Sequence, residues 1–365
     1  MENEKYLSEQ LITYLGNKRN LLQFIETSIN EIKLELDLEK LTFFDGFAGS
    51  GIVSRFFKQH ASKIYANDLE QYSYLVTKAY LTNQSEVNFD ELQECLDFLN
   101  KNKFTFENER GIIEKLYAPK KTSSPKRGER CFYTNENARI IDNIRRMIFQ
   151  LDPHCKDLLL ANLIHKASVH TNTSGVFKGF YKSKTTGIGK FGGEAENALT
   201  RIMGEITLEI PVFSNFECEY EVFQDDTLNI VSGLPKVNVA YYDPPYNQHP
   251  YSSNYHILNT ILEYQEPKQL SEVAGIRVDW NKSDYNYQST AAQSLEKLIE
   301  LTNADFILLS YNNEGIIPEE EIVGILSKYG VLEIRTQEYS AFKGSRNLKQ
   351  RSSKVKEYLY VLKKN

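Results

Sequence analysis

Cysteine is scarce in this chain of 365 residues, and Cys95, Cys131, Cys155 and Cys218 stand far apart with no C-x-x-C spacing. That excludes a zinc knuckle and a disulfide framework, leaving reduced, mostly buried thiols and no metal site as the expectation. Long hydrophobic runs are absent too, and Met1-Glu2-Asn3-Glu4-Lys5 lacks the basic-then-apolar layout of a signal peptide. The expectation is a cytoplasmic protein with no membrane association. No internal repeat or low-complexity tract appears, and 41% hydrophobic, 12% aromatic and 25% charged residues describe an ordinary globular composition. The length suits about two domains of ~150 residues each. Net positive charge is also lacking, at −6 overall, which by itself argues against a polyanionic partner. Its distribution argues the other way. Arg110 to Gly204 carries 17 Lys/Arg against 8 Asp/Glu, so the rest of the chain stands at −15, and Lys343 to Lys364 carries 8 Lys/Arg against the single Glu357. Basic segments on an acidic protein suggest a face for phosphates, with a merely solvated face as the alternative.

What the chain does have is Asp243-Pro244-Pro245-Tyr246 directly behind the apolar run Val237-Asn238-Val239-Ala240-Tyr241-Tyr242. The run reads as a strand, and paired prolines can continue neither a ladder nor a helix, so the chain leaves the sheet there. The turn offers acceptors, the Asp243 carboxylate and the Pro244 carbonyl, with few competing donors. Such a pocket suits an exocyclic amine, and Tyr246 adds a face on which a flat ring can stack. An ordinary proline turn with a capping Asp is the alternative.

Nearer the N-terminus, Tyr14-Leu15-Gly16-Asn17-Lys18 feeds a helix with Leu21, Leu22, Ile25, Ile29 and Ile32 on one stripe. The strand Leu41-Thr42-Phe43-Phe44 runs into Asp45-Gly46-Phe47-Ala48-Gly49-Ser50-Gly51 and an apolar helix, the strand, glycine loop, helix order of nucleotide sites. A second strand, Lys63 to Ala66, ends in Asn67-Asp68-Leu69-Glu70, at the spacing of a ribose-gripping carboxylate or of a plain helix cap. Strand and helix alternation lapses from about Ser85 to Ile210. There Ala118 to Gly128 reads as a mobile basic loop, Ala138 to Leu151 as an amphipathic helix with Arg139, Arg145 and Arg146, and Val176 to Lys182 as aromatics interleaved with lysines. The last pattern suits unstacked bases and backbone, or an ordinary surface loop. Alternation returns near Glu219 with strands ending at Asp225-Asp226 and at Asp243, a buried strand Asp305 to Tyr311, and an antiparallel pair, Val331 to Phe342 and Glu357 to Leu362, joined by a basic turn.

Asp45, Asp68, Asp226 and Asp243 thus stand at four strand ends, and the set resembles the alpha group, Dam-like, of adenine-N6 DNA methyltransferases, over roughly residues 10–80 and 215–363. Asn247 to Tyr251 and Asn254 to Asn259 resemble methylases of restriction-modification systems more than the maintenance enzyme of enteric bacteria. The resemblance implies an α/β fold, a doubly wound mixed seven-stranded sheet of the class I S-adenosylmethionine-dependent type, with residues 1–84 and 211–365 catalytic and 85–210 an inserted, mainly helical recognition module. It implies Tyr14, Lys18, Asp45, Phe47, Gly49, Gly51, Asp68, Asp226 and Asp243 at the cofactor, with Asp226 facing its adenine and Asp225, one place away, the alternative there. Asp243, Pro244, Pro245 and Tyr246 are the implied catalytic tetrad. Lys120, Lys121, Lys126, Arg127, Lys178 and Lys182 are the expected contacts to duplex DNA, and a separately encoded restriction endonuclease is an expected partner.

Adenine's N6 lone pair is delocalised, so bonds from N6–H to Asp243 and Pro244 would localise it for in-line transfer at ~3–3.5 Å. The base would be flipped from the duplex to get there. No cysteine follows a proline, so the nucleophile of cytosine-C5 chemistry is missing. Two rivals remain: transfer to an amine or amide of RNA or protein, where N-P-P-Y or N-P-P-F is the more usual tetrad, and a DNA-binding subunit without catalysis.

Overall fold

The computed structural model describes residues 1–105, 110–151, 153–196, 198–340 and 354–365. Among them seven strands form one sheet: β1 (Leu41–Asp45), β2 (Ala61–Asn67), β3 (Glu219–Phe223), β4 (Val237–Tyr242), β5 (Ala304–Asn312), β6 (Gly330–Ser340) and β7 (Lys354–Lys364). Their order is β3-β2-β1-β4-β5-β7-β6. β1 to β5 are parallel neighbours, and β7 enters antiparallel between β5 and β6. From β1 the chain winds outward to β2 and β3, then restarts on the other side at β4, so the carboxyl ends of β1 and β4 flank a switch point where ligands bind in open sheets. The basic turn that the sequence puts before Glu357 falls on residues 341–353, outside the described residues.

The central strands are largely apolar on both faces because helices cover both. On one face Phe44, Ala240, Tyr242, Ile307 and Leu309 pack on the helices Ala291–Leu301 and Glu319–Leu326. On the other, Phe43, Ile64, Val239, Tyr241 and Leu308 pack on Leu22–Leu36 and Ile52–Phe57. The stripe read from Leu22, Ile25, Ile29 and Ile32 is the buried face of the first of these. Among the described residues no helix is long and apolar enough to cross a membrane.

Between the helix Gln71–Leu81 and β3 the chain leaves the sheet for a stretch in which helices alternate with long loops, Phe89–Asn102, Asn135–Ile148 and Pro153–Val169 being the longer elements. Their packing is continuous with the rest. Leu96, Ile141, Ile144, Leu159 and Leu163 share one core with Tyr72, Val76, Tyr255 and Ile261. The amphipathic helix begins at Asn135, three residues before the sequence reading, because Thr134 Oγ1 accepts the Asn137 N–H at 3.0 Å and caps it there. Arg145 on that helix is buried, and donates to the Ile261 carbonyl at 2.9 Å and the Leu262 carbonyl at 2.5 Å. It thereby satisfies the orphan acceptors that end the helix His256–Glu263.

Replacing Arg145 by Met keeps much of its volume but strands those carbonyls, so the urea midpoint is expected to fall by an amount equivalent to about 2–4 kcal/mol. An unchanged midpoint would mean that the cap carries no load.

Candidate active site

The carboxyl ends of β1 to β4 converge on a cleft holding about 860 Å³ of empty space, open solvent included, within the range of cofactor sites. The loop after β1 is knitted to both neighbouring strands: the Gly46 N–H donates to the Tyr241 carbonyl at 3.0 Å and the Ala48 N–H to the Asn67 carbonyl at 2.9 Å. Gly49 and Gly51 take φ of +56° and +72°, a region that a side chain opposes. A Cβ on Gly49 would lie 2.9 Å from the Tyr14 ring, and one on Gly51 2.9 Å from Thr77 Oγ1.

The four acids divide into roles. Asp68 lines the cleft and receives the Gly49 N–H at 2.7 Å and the Glu70 N–H at 2.8 Å, one on each oxygen. Burial pushes its pKa up while hydrogen bonds from these amides, the Ser73 hydroxyl and the Leu69 backbone pull it back. Asp226 also lines the cleft and caps Thr227–Val231 through the Leu228 N–H at 2.9 Å. Asp225 does not line it; its carboxylate takes the Asn229 amide at 3.0 Å. Asp45 departs from the sequence expectation. Its side chain turns under the glycine loop, fully buried, where Ser54 Oγ donates to it at 2.5 Å, and it forms no part of the cleft wall. Burial pushes its carboxyl up to about 7.

Asp243 sits at the cleft beside Lys18, whose Nζ is 3.1 Å from Asp243 Oδ1 and 2.8 Å from Glu357 Oε1. Burial pushes Asp243 up to about 7, with Lys18 opposing and Glu357 reinforcing the rise. Burial alone would lower Lys18, but the two carboxylates overcome it and hold the ammonium well above its ordinary value. Pro245 lines the cleft, and Tyr246 is half-buried with its ring edge on Tyr311 and its carbonyl accepting the Ile316 N–H at 3.0 Å. Tyr14 stacks with both Tyr251 and Tyr255, each ring 4.9 Å away and nearly parallel. Tyr251 Oη donates to the Leu15 carbonyl at 3.1 Å, and Tyr255 Oη receives the Leu15 N–H at 2.8 Å. Residues just past the tetrad therefore clasp the N-terminal segment.

Several site groups escaped the sequence reading. Tyr285, Asn281 and Asn286 close the cleft from a segment with no motif. Phe47 meets Tyr285 edge-on at 5.2 Å. Glu70, adjacent to the acid that was read, is buried with Ser252 Oγ at 2.5 Å and Asn259 Nδ2 at 2.7 Å, its carboxyl pushed up by burial to about 7. Glu357 had a signal: one acid in a basic stretch, on a buried strand.

The six expected DNA-contacting side chains, Lys120, Lys121, Lys126, Arg127, Lys178 and Lys182, are all exposed. The loop that reads as mobile is tied: the Glu129 carboxylate accepts the Lys120 N–H at 3.1 Å and the Lys126 N–H at 2.7 Å. The interleaved aromatics turn inward, since Phe177 is buried and Phe180 packs edge-on against Phe132. Only the lysines of that pattern face out. Phe177 is bound on both sides of its peptide, its N–H to the Asn254 carbonyl at 2.7 Å and its carbonyl to His256 Nε2 at 3.0 Å. Burial pulls His256 down to about 4, so the ring is neutral, and a carbonyl partner requires the proton on Nε2.

A doubly wound sheet of this order, with a glycine loop after β1 and acids at the ends of β2 to β4, is the frame of a class I S-adenosylmethionine-dependent methyltransferase. Residues 14–325 match the model of the D12 class N6 adenine-specific DNA methyltransferases, and the chain belongs to that family. It is 30% identical over 364 residues to the type II methyltransferase M.NlaIII of Neisseria lactamica, covering 97% of this chain and 99% of that one. It is 28% identical over 356 residues to M.CviAII of Paramecium bursaria Chlorella virus 1, covering 96% and 98%. Against the modification methylase LlaI of Lactococcus lactis subsp. lactis it is 30% identical over 367 residues, spanning 96% of this chain and 55% of that longer one. The protein is thus an adenine-N6 DNA methyltransferase with S-adenosylmethionine as methyl donor. The lining fits that molecule: an acid, Asp68, for a diol, aromatic rings at Phe47 and Tyr285, and glycines, Gly16 and Gly49, in the wall of the cradle.

Gly49→Ala would press a methyl group against Tyr14 at a strained φ, so the affinity for S-adenosylmethionine is expected to fall tenfold or more in equilibrium binding. Affinity within twofold of the parent would show that the loop relaxes freely.

Proposed function

We propose that Asp243 and the Pro244 carbonyl accept the two N6–H bonds of an adenine extruded from duplex DNA, with Tyr246 stacked on its ring. The observation that carries this is the placement of Asp243 at the cleft within an ion pair to Lys18. S-adenosylmethionine, when bound, supplies the activated methyl group. Asp68 would hold its ribose, Asp226 would face its adenine, and Tyr14, Lys18, Phe47, Gly49 and Gly51 would complete the cradle. Asp45 contributes by fixing the loop from beneath.

The chain's own part in catalysis is positioning and charge. Two acceptors on N6–H draw the lone pair out of the ring system as the nitrogen turns tetrahedral. A nitrogen carrying a new substituent then sheds a proton, and a carboxylate whose pKa burial pushes to about 7 is a matched receiver. Extrusion costs a few kcal/mol, which stacking on Tyr246 and contacts to the opened strand offset.

Residues 85–210 we assign to target recognition. Their net positive charge, the exposure of the six basic side chains, and the closeness of Lys178 to His249 just past the tetrad, where its charge holds the imidazole pKa down, support this. The likeness to type II methylases supports a place in a restriction-modification system, with a separately encoded endonuclease as partner and the cytoplasm as the compartment.

Tritium from labelled S-adenosylmethionine is expected to appear on adenine in duplex DNA and to drop at least a thousandfold in Asp243→Ala, with cofactor binding largely kept. Transfer to RNA or protein but not to DNA would sink the assignment. Neutralising Lys120, Lys121, Lys126 and Arg127 together is expected to flatten the slope of log affinity against log salt by about 3–4; an unchanged slope would remove the loop from the phosphates.

A further inference from the structure

We infer that Glu357 is a positioning residue for methyl transfer, engaging the Lys18 ammonium so that Asp243 keeps lone pairs free for the amino group of the target base. The inference rests on the assignment of Asp243 as the amine's acceptor.

The geometry comes from all three regions of the chain. Lys18 lies in the N-terminal segment, Asp243 follows β4, and Glu357 stands on β7, where the pairing of Asn312 with Glu357 sets its place by strand register rather than by a loop. Glu357 is 1% exposed. Its Oε1 accepts from Lys18 Nζ at 2.8 Å and from Ser310 Oγ at 2.6 Å, while Oε2 is buried with no hydrogen-bond partner. A buried, half-satisfied carboxylate is costly. An amide or an apolar residue would fill the same space at less cost, and neither would bring a negative charge to Lys18.

The charge has a definite effect. Lys18 Nζ is nearer Glu357 than Asp243, by 2.8 against 3.1 Å, so two carboxylates divide one ammonium. Without Glu357, the pull of Lys18 would fall on Asp243 alone. That would tie up an oxygen needed for N6–H and make the carboxylate a weaker base, poorly matched to receive a proton from nitrogen. The other ionisable groups that act on Asp243 are Asp45 from β1, Tyr241 from β4, and Tyr251 from the helix past the tetrad. The tyrosines are held in the neutral form by burial, which leaves Asp45 as the remaining acid, already hydrogen-bonded to Ser54. Besides Asp243 itself, Glu357 is the acid in contact with Lys18.

The test is the pH profile of single-turnover tritium transfer to duplex DNA from pH 5 to 9, with melting temperature and equilibrium binding of S-adenosylmethionine as controls. A carboxylate must be ionised to accept N6–H, so the parent rate should fall on the acid side with a midpoint near the Asp243 value of about 7. In Glu357→Gln the midpoint is expected to move to lower pH by roughly one unit, and the plateau rate to drop about tenfold. Titration of the Asp243 carboxyl by NMR of carbon-labelled aspartate should show the same shift without any turnover. Glu357→Asp, which withdraws the charge by one methylene, should shift the midpoint in the same direction but by less. Ser310→Ala keeps the charge, and should lower the melting temperature while leaving the midpoint in place. An unmoved midpoint in both Glu357 variants, or an equal shift in Ser310→Ala, overturns the inference in favour of a purely structural role. Transfer surviving in Asp243→Ala would instead fail the acceptor assignment beneath it.

Discussion

The working edge of this sheet depends on a single buried ammonium. Lys18 is 3% exposed, and a lone charge at that depth would give up its proton rather than stay. It remains charged because two carboxylates lie within 3.1 Å, and those come from the turn after β4 and from β7, on either side of β5 in the sheet. Once the three groups meet, the N-terminal segment, the tetrad and the last strand are held in one arrangement. β7 must run antiparallel between β5 and β6 for that meeting to occur, so the reversal in the sheet serves the chemistry as well as the edge.

The other acids tell a related story. Asp45, Glu70 and Asp243 are each pushed by burial to about 7, and each holds its proton more tightly folded than unfolded. Stability therefore falls between the ordinary carboxylate range and about pH 7 as these groups are forced to ionise. A fold with no ligand to meet would gain by replacing them. Their presence marks the carboxyl edge as the place where stability gives way to binding and catalysis.

Much of this was legible in the chain. The β4 strand ahead of its proline turn, the strand into the glycine loop, and the strand that ends just before Asp68 all stand where the sequence puts them, because strand periodicity and turn chemistry are local. Asp226 and Asp225 could not be separated by position, yet one lines the cleft and the other binds a neighbouring helix amide. The placement of Asp45 was not legible for a different reason: a carboxylate ahead of a glycine loop looks the same in sequence whether it faces the cleft or, as here, bonds to Ser54 beneath the turn. The clasp on Tyr14, the wall at Tyr285 and the Lys18 to Glu357 pair, separated by 339 positions, are products of tertiary packing with no periodic trace. The inward turn of Phe177 belongs with them, since aromatic-basic alternation is shared by surfaces that stack on bases and by loops that merely anchor themselves.

That buried phenylalanine makes the span from the exposed Lys178 to the backbone just past the tetrad a fixed length. Its peptide is gripped at both ends, by Asn254 and by a histidine whose proton stays on Nε2 throughout the working range of pH. Lys178 is the next residue, so a displacement there is delivered to the backbone a few residues past the tetrad rather than absorbed on the way. The two segments behave like the jaws of a caliper whose opening the phenylalanine between them sets.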